Sequence, residues 1–147
     1  MKALTIWQPY ASLIVLGYKH FETRSWWTNI SGKVAIHAAK YHKLPHEVYE
    51  EIAEAIGIPP EKYRGSWLYY LENGVPSQSF GAILGTVDME PSVPANSLRL
   101  SRAELALGDY SPGRFAWPMK NATQFPTPIP ASGHQGLWEW NEKERTA

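Results

Sequence analysis

Turn-forming residues interrupt this chain so often that only short helices and strands are expected. Eleven glycines and twelve prolines occur among its 147 residues, and both residue types mark turns and the ends of regular elements. Segments of strand length lie at 3–7, 33–40, 80–89, 114–119 and 136–140, while 45–56 and 101–107 have helical character. These patterns predict an α+β fold, a small β-barrel with helices packed against it.

Composition limits the class of protein. The length fits one domain, 1–147, that buries roughly two thirds of the surface its unfolded chain exposes. Hydrophobic residues make up 44% and charged residues 19%, which excludes a disordered chain. No apolar run approaches the ~20 residues that cross a bilayer, and the first residues lack a signal-peptide pattern. The absence of cysteine excludes disulfides and thiolate chemistry. A cytoplasmic protein is therefore expected.

Charge and aromatic content bear on nucleic-acid binding. Fourteen acidic and fourteen basic residues give a formal net charge of zero, so tight nonspecific binding of a duplex is not expected and any nucleic-acid site must be local. Seven tryptophans and eight tyrosines either fill a core or offer flat faces for stacking.

The proline-rich segment 126–130 is expected to be extended and irregular, and 142–147 to be a frayed tail.

A charged motif follows the first apolar, helix-like segment. Gly17, Lys19, Glu22 and Arg24 have the spacing G-x-K-x-x-E-x-R. Glycine suits the position just past a helix end, where the backbone takes a positive φ. If 20–24 is extended, His20, Glu22 and Arg24 share one face. Lys19 has the opposite parity and joins them only if the glycine turn or a bulge re-aims it.

A histidine in the predicted strand at 33–40 is a further candidate. Val34, Ile36 and Ala38 line one face of this strand, and His37 lies between two alanines on the other. The small neighbours leave room for a ligand or for another side chain. A lone histidine in a strand is more often a hydrogen-bonded structural residue than a catalyst, so both interpretations stay open.

The motif resembles the signature of the ASCH family, whose small β-barrels are related to the PUA RNA-binding domains. Segments 3–9 (ALTIWQP), 81–87 (GAILGTV), 108–117 (GDYSPGRFAW) and 133–138 (GHQGLW) also resemble that family. The resemblance spans nearly the whole chain and implies a PUA/ASCH-like β-barrel with packed helices.

This resemblance implies a pocket for single-stranded RNA or a modified nucleoside, because the PUA relatives mostly recognise RNA. Bases would stack on aromatic faces and lysine or arginine would contact phosphates, while Gln135 or Glu22 would read a base edge. The predicted ligand-binding residues are Trp7, Lys19, Glu22, Arg24, His37, Lys40, Tyr110, Arg114, Gln135 and Trp138. No metal, cofactor or membrane is expected.

A metal-independent hydrolase is the main alternative, with Lys19, Glu22 and His37 as candidate catalytic residues. Some family members are amidohydrolases that cleave acyl groups from N4-acylcytidine, using the motif lysine, a threonine three positions later and a separate carboxylate. Here Glu22 occupies the threonine position, and Asp88 or Glu90 is the candidate carboxylate. Other members are ribonucleases, which would make His37 a base for attack by a 2′-hydroxyl.

A protein-interaction module is the remaining alternative. In that case Glu22 and Arg24 form an ordinary buried ion pair, and Lys19 caps the preceding helix.

Overall fold

The computed structural model describes residues 1–142, so all but the first residue of the predicted tail at 142–147 lies outside the described residues. Seven strands are present among these residues: β1 (Lys2–Ile6), β2 (Phe21–Arg24), β3 (Gly32–Ala38), β4 (Ala82–Met89), β5 (Val93–Pro94), β6 (Phe115–Pro130) and β7 (Leu137–Glu139). Four α-helices accompany them: α1 (Tyr10–Val15), α2 (His46–Ile56), α3 (Trp67–Glu72) and α4 (Arg102–Ala106). Short 3-10 turns lie at Pro60–Gly65, Ser77–Ser79 and Ala95–Ser97.

The strands form one mixed sheet that curls into a half-barrel, in the order β2-β6-β4-β3-β1-β7, with β5 paired to β6. Only β1 and β3 are parallel, from Lys2 opposite Val34 to Ile6 opposite Ala38. The other pairs are antiparallel. The predicted α+β fold, a barrel-like sheet with packed helices, is confirmed.

The longest strand, β6, connects the two parts of the sheet. Its first residues, Phe115 to Pro118, pair with β2, and the remainder pairs with β4 as far as Pro130. The expectation of an extended and irregular segment at 126–130 is confirmed, because the stretch belongs to β6 while its register against β4 shifts between Gln124 and Ile129. At the junction, the carbonyl of Pro118 accepts a hydrogen bond from the Glu90 amide, and the Met119 amide donates to the His20 carbonyl oxygen.

The core occupies both faces of the curled sheet and the layer under the helices. Helix α1 packs with Val34, Ile36 and Ala38 of β3, the three residues that the alternation placed on one face. Helices α2 and α3 cover α1 from outside through a second cluster that includes Leu13. No helix among residues 1–142 is long and apolar enough to cross a membrane.

Helix ends follow the local sequence signals. Gly57 ends α2 with a φ of 84°, the left-handed conformation that glycine adopts most readily. The Ser101 hydroxyl accepts a hydrogen bond from the Glu104 amide at 3.1 Å and begins α4. In a full capping box the Glu104 carboxylate would accept a hydrogen bond from the Ser101 amide. Here it accepts one from the His20 amide instead.

Gly85 lies where β4 and β6 approach most closely. The register of both neighbouring ladders shifts next to it, and a Cβ added to Gly85 would lie 2.0 Å from the Thr123 carbonyl oxygen. Only glycine therefore allows this bend of the sheet.

We predict that Gly85→Ala lowers the free energy of unfolding by about 1–3 kcal/mol or more, because two backbones must separate. Urea denaturation measures this change. Gly65→Ala is the control: its Cβ meets no atom within 4 Å, so its effect should stay within about 0.5 kcal/mol. Equal midpoints for the two variants would contradict the close approach.

Candidate functional site

The curl of the sheet brings its edge strand β2 to the end of β1, and a cleft of about 600 Å³ opens between them. We call this cleft the arginine lobe. Its lining residues come from β1 and the turn after it, from the start of α1, from β2 and the segment after it, and from the segments before β6 and β7: Thr5, Ile6, Trp7, Tyr10, Glu22, Thr23, Arg24, Trp26, Arg114, Gln135 and Gly136.

Glu22 and Arg24 form an ion pair along the wall of the arginine lobe. The Arg24 Nη2 donates to Glu22 Oε2 at 3.0 Å and to the Thr5 carbonyl oxygen at 2.9 Å. The other Glu22 oxygen accepts a hydrogen bond from the Thr23 amide. Both side chains are mostly buried but reach the lobe, so the cleft contains a fixed carboxylate beside a fixed guanidinium.

A second guanidinium enters the same lobe from the segment before β6. The Arg114 Nη2 donates to the Thr23 carbonyl oxygen at 3.0 Å, and its Nε lies 3.6 Å from Asp109 Oδ2. Hydrogen bonds from Ser111, together with this arginine, lower the pKa of the Asp109 carboxyl below its ordinary value. Arg114 is therefore oriented by groups on both sides.

Aromatic side chains surround these charges. The indole of Trp7 is 52% exposed and rests against the His42 ring, with 4.4 Å between ring centroids. Trp26 is 42% exposed and packs edge-on against the buried Trp117 at 4.5 Å. Burial and the nearby Glu22 carboxylate raise the pKa of the Tyr10 hydroxyl, which keeps this ring neutral at the floor of the lobe.

Lys19 lies behind the lobe rather than in its lining. Gly17, with a φ of 87°, turns the chain after α1 and directs Lys19 inward, where its side chain is only 2% exposed. Its Nζ donates to the Leu107 carbonyl oxygen and lies 5.7 Å and 5.9 Å from the ring centroids of Tyr10 and Tyr110. The glycine turn thus re-aims Lys19, but into the core.

The surroundings of Lys19 adjust its charge in opposite directions. Burial lowers the pKa of the Lys19 amine, whereas the carboxylates of Glu22 and Glu104 raise it. A Cβ at position 108 would lie 2.8 Å from the Lys19 Nζ, so Gly108 makes the approach of the amine possible.

Glu104 organises the residues around Lys19 and was missed by the sequence analysis. Its carboxylate accepts hydrogen bonds from the Tyr110 hydroxyl at 3.2 Å and from His20, whose Nδ1 lies 2.7 Å from Oε1. The parity of β2 predicted that His20 faces the same way as Glu22, but the pairing with Glu104 turns the imidazole to another part of the surface. Tyr110 does not line the arginine lobe.

A second cleft, of about 670 Å³, lies on the other side of Trp7. We call it the histidine lobe. It shares Thr5, Trp7 and Gln135 with the arginine lobe, and its own lining residues come from the end of β3, from Gly81 and from the loop after β6: His37, Ala39, Lys40, Gly81, Pro130, Ala131, Ser132, Gly133 and His134.

The imidazole of His37 is held by hydrogen bonds at both nitrogens. Its Nε2 lies 2.8 Å from the Ala131 carbonyl oxygen, which can only accept, so this nitrogen carries the proton. Its Nδ1 then accepts from the Thr5 hydroxyl at 3.1 Å, and that hydroxyl in turn accepts from the Trp138 Nε1 at 2.9 Å. His37 is thus a neutral structural histidine at the base of the lobe, and Trp138 supports it from behind.

The 131–136 loop packs closely on this imidazole, and this packing requires a glycine at position 133. A Cβ at Gly133 would lie 2.4 Å from the His37 Cε1. The glycine therefore allows the loop to approach the ring.

The structure divides the predicted site residues into three groups. Trp7, Glu22, Arg24, Arg114 and Gln135 line the arginine lobe, and His37 and Lys40 line the histidine lobe. Lys19, Tyr110 and Trp138 lie behind these surfaces.

The candidate carboxylates Asp88 and Glu90 lie elsewhere. They pair with Lys33 and Lys120, at 3.8 Å and 2.8 Å, and line neither lobe.

Several lining residues were missed by the sequence analysis. Tyr10 and Trp26 line the arginine lobe, and Ser132 and His134 line the histidine lobe. The adjacent tryptophans at 26 and 27, directly after the charged motif, were the one signal that pointed to an aromatic at this rim. Among residues 1–142, no group of three or more His, Asp or Glu side chains could hold a metal ion.

Comparison with known proteins gives a consistent family. A family model described as ASCH domain matches residues 4–93, more than half of the chain. Activating signal cointegrator 1 from Homo sapiens and from Mus musculus are each 29% identical over 140 residues. These alignments cover 95% of this chain but only 22% of each relative, so the chain spans about a fifth of their length.

Solved structures share the fold. Two mutant proteins of ZmASCH from Zymomonas mobilis superpose with TM-scores of 0.50 and 0.51, at 16% and 18% identity. The superpositions cover 99% of this chain and 92% and 90% of the two solved chains. At this identity the likeness concerns the fold alone.

The neutral state of His37 predicts a pH dependence of stability. Burial lowers the pKa of His37 below its ordinary value of 6.5, so the unfolded chain takes up the proton first as the pH falls. The stabilisation is therefore complete above about pH 6.5 and is lost as the pH falls from there toward the folded-state pKa. Chemical denaturation measures the free energy of unfolding between about pH 8 and pH 5. Over this range the free energy should fall less for His37→Gln than for the unchanged chain. If the free energy of unfolding fell equally with pH in both proteins, this assignment would be contradicted.

Proposed function

The chain belongs to the ASCH domain family, and from this membership and the geometry of its clefts we propose that it binds single-stranded RNA or a modified nucleoside. The observation that carries the proposal is the arginine lobe itself. Two exposed indoles, two oriented guanidinium groups and one carboxylate line the same cleft.

The aromatic rim supports recognition of bases. Trp7 and Trp26 are each about half exposed, although tryptophan side chains are highly buried on average. An exposed indole offers a face on which a base stacks, and such a contact contributes about 1–3 kcal/mol per base. The partners His42 and Trp117 hold these rings in place, so little side-chain freedom is lost on binding.

The charged groups support recognition of a phosphate and a base edge. Arg24 and Arg114 are fixed by backbone carbonyls and present positive charge to the cleft, where a phosphate would lie. Glu22 can accept hydrogen bonds from an exocyclic amino group, and Gln135 can both donate and accept. The Glu22 carboxylate repels an anion at its own position in the cleft. We therefore place the base beside Glu22 and the phosphate beside the guanidinium groups.

The size of the site favours unpaired nucleotides over a duplex. A cleft of about 600 Å³ falls in the range of roughly 300–1,000 Å³ typical of small-ligand sites. The formal net charge of zero provides no general attraction for duplex phosphates. A base that enters a cleft must be unstacked, as it is in single-stranded RNA or a free nucleoside.

Hydrolysis by Lys19 is less well supported than binding. The lowered pKa of the Lys19 amine and the nearby Glu22 suit a nucleophile or base. However, the side chain is 2% exposed and donates to a main-chain carbonyl. A ligand in the arginine lobe would meet Tyr10 and Glu22 first, so we assign Lys19 a role in positioning these side chains.

We predict that Trp7→Ala weakens binding of a short single-stranded RNA by about 5- to 150-fold, the equivalent of one lost stacking contact. Fluorescence anisotropy at several salt concentrations measures the affinity. The salt dependence should keep its slope, near 0.7 per phosphate contact, because no charge is removed. Trp27→Ala is the matched control, since Trp27 is 57% exposed but lines neither lobe. Equal losses for both variants would mean that the cleft is not the binding site.

A second experiment separates binding from hydrolysis. Binding and chemical conversion of a short RNA and of N4-acetylcytidine are followed with the unchanged chain and with Lys19→Met, which keeps the apolar part of the side chain. We expect binding without conversion, and a reduced affinity in the variant. Circular dichroism checks that the variant is folded. Conversion that disappears in a folded Lys19→Met protein would identify a hydrolase instead, and no engagement of either ligand would favour a protein-interaction module.

A further inference from the structure

The two lobes are neighbouring halves of one surface. Their volumes are similar, about 600 and 670 Å³, and both are lined by Thr5, Trp7 and Gln135. A ligand that fills the arginine lobe therefore lies next to a second opening of comparable size. Each volume suits one small ligand unit.

The wall between the lobes is fixed from both sides. The Thr5 carbonyl oxygen accepts a hydrogen bond from Arg24 in the arginine lobe, while its hydroxyl contacts His37 in the histidine lobe. The neighbouring indole of Trp7 is supported by His42 at 4.4 Å. Because protein groups make these contacts, Thr5 and Trp7 form a wall that is held in place between the two lobes.

Contacts between protein groups also determine the shape of the histidine lobe. The hydrogen bond from the His37 Nε2 to the Ala131 carbonyl oxygen ties the 131–136 loop to β3, and Gly133 lets the loop pack on the imidazole. Since both nitrogens of His37 are engaged by protein groups, His37 shapes this lobe.

The groups that remain at the histidine lobe match a nucleotide. Lys40 supplies a cation for a phosphate, Trp7 supplies an aromatic surface, and Ser132, His134 and Gln135 supply polar groups at the rim. Lys40 is exposed and does not belong to an ion pair among those found in residues 1–142.

Resting on the function proposed above, we infer that the ligand is a segment of at least two consecutive nucleotides, with one in each lobe and Trp7 between them. A mononucleotide occupies the arginine lobe alone. The second nucleotide adds the contacts of the histidine lobe without a second loss of translational freedom, because it is tethered to the first.

The affinity for oligonucleotides of increasing length tests this inference. Isothermal titration calorimetry at one ionic strength compares the four ribonucleoside 5′-monophosphates with the matching 5′-phosphorylated dinucleotides and trinucleotides. We expect the step from one to two nucleotides to tighten binding by at least about tenfold, because the second nucleotide places its phosphate near Lys40 and its polar groups at the rim of the histidine lobe. The step from two to three should change affinity by less than about threefold, because the two lobes beside Thr5 and Trp7 are then both occupied.

Two variants assign the gain to the histidine lobe. Ser132→Leu fills the lobe and Lys40→Ala removes its cation, so each should bring the affinity for the dinucleotide down toward that of the mononucleotide. Lys43→Ala is the matched control, since Lys43 is exposed three residues away but does not line the lobe. It should keep the full gain.

The outcomes distinguish this inference from the function on which it rests. If mononucleotides bind but dinucleotides bind no more tightly, the two-nucleotide site is overturned while nucleotide binding stands. A constant gain at every added nucleotide, insensitive to Ser132→Leu, would indicate a diffuse electrostatic track and also overturn it. If no nucleotide binds at any length, the proposed function fails and the inference fails with it.

Discussion

The hydrogen bonds of Thr5 hold the site together. Its carbonyl oxygen fixes Arg24 and thereby the edge strand β2, while its hydroxyl links Trp138 to His37. The first bond closes the curled sheet over the arginine lobe, and the second orients the imidazole on which the 131–136 loop packs. Both lobes therefore depend on one residue near the end of β1.

The ionisable groups divide into buried ones that support the fold and accessible ones that can meet a ligand. Lys19, His37 and Glu104 are almost fully buried and each is satisfied by protein groups. Burial of an unpaired charge or polar group is costly, so these partners explain why the three residues persist in the core. The charges left at the arginine lobe are those of Glu22, Arg24 and Arg114, and they govern which ligands fit.

Most of the fold and about half of the candidate site could be predicted from local patterns. The alternation in β3 placed Val34, Ile36 and Ala38 in the core and His37 on the opposite face, as observed. The motif spacing placed Glu22 and Arg24 on one face of β2, where they form an ion pair. The prolines at 126–130 correctly indicated an extended but irregular stretch, because proline cannot donate to a strand ladder and the register of β6 against β4 shifts there.

The sequence by itself determined the α+β fold, the faces of the strands, the glycine turns and the family, because these depend on periodicity, backbone conformation and short motifs. Only the tertiary structure decided the depth of Lys19, the partners of His37 and the division of the cleft into two lobes. Those features depend on contacts between distant segments, such as Lys19 with Leu107 and His37 with Ala131. Local patterns carry no information on which distant carbonyl or ring a side chain will meet.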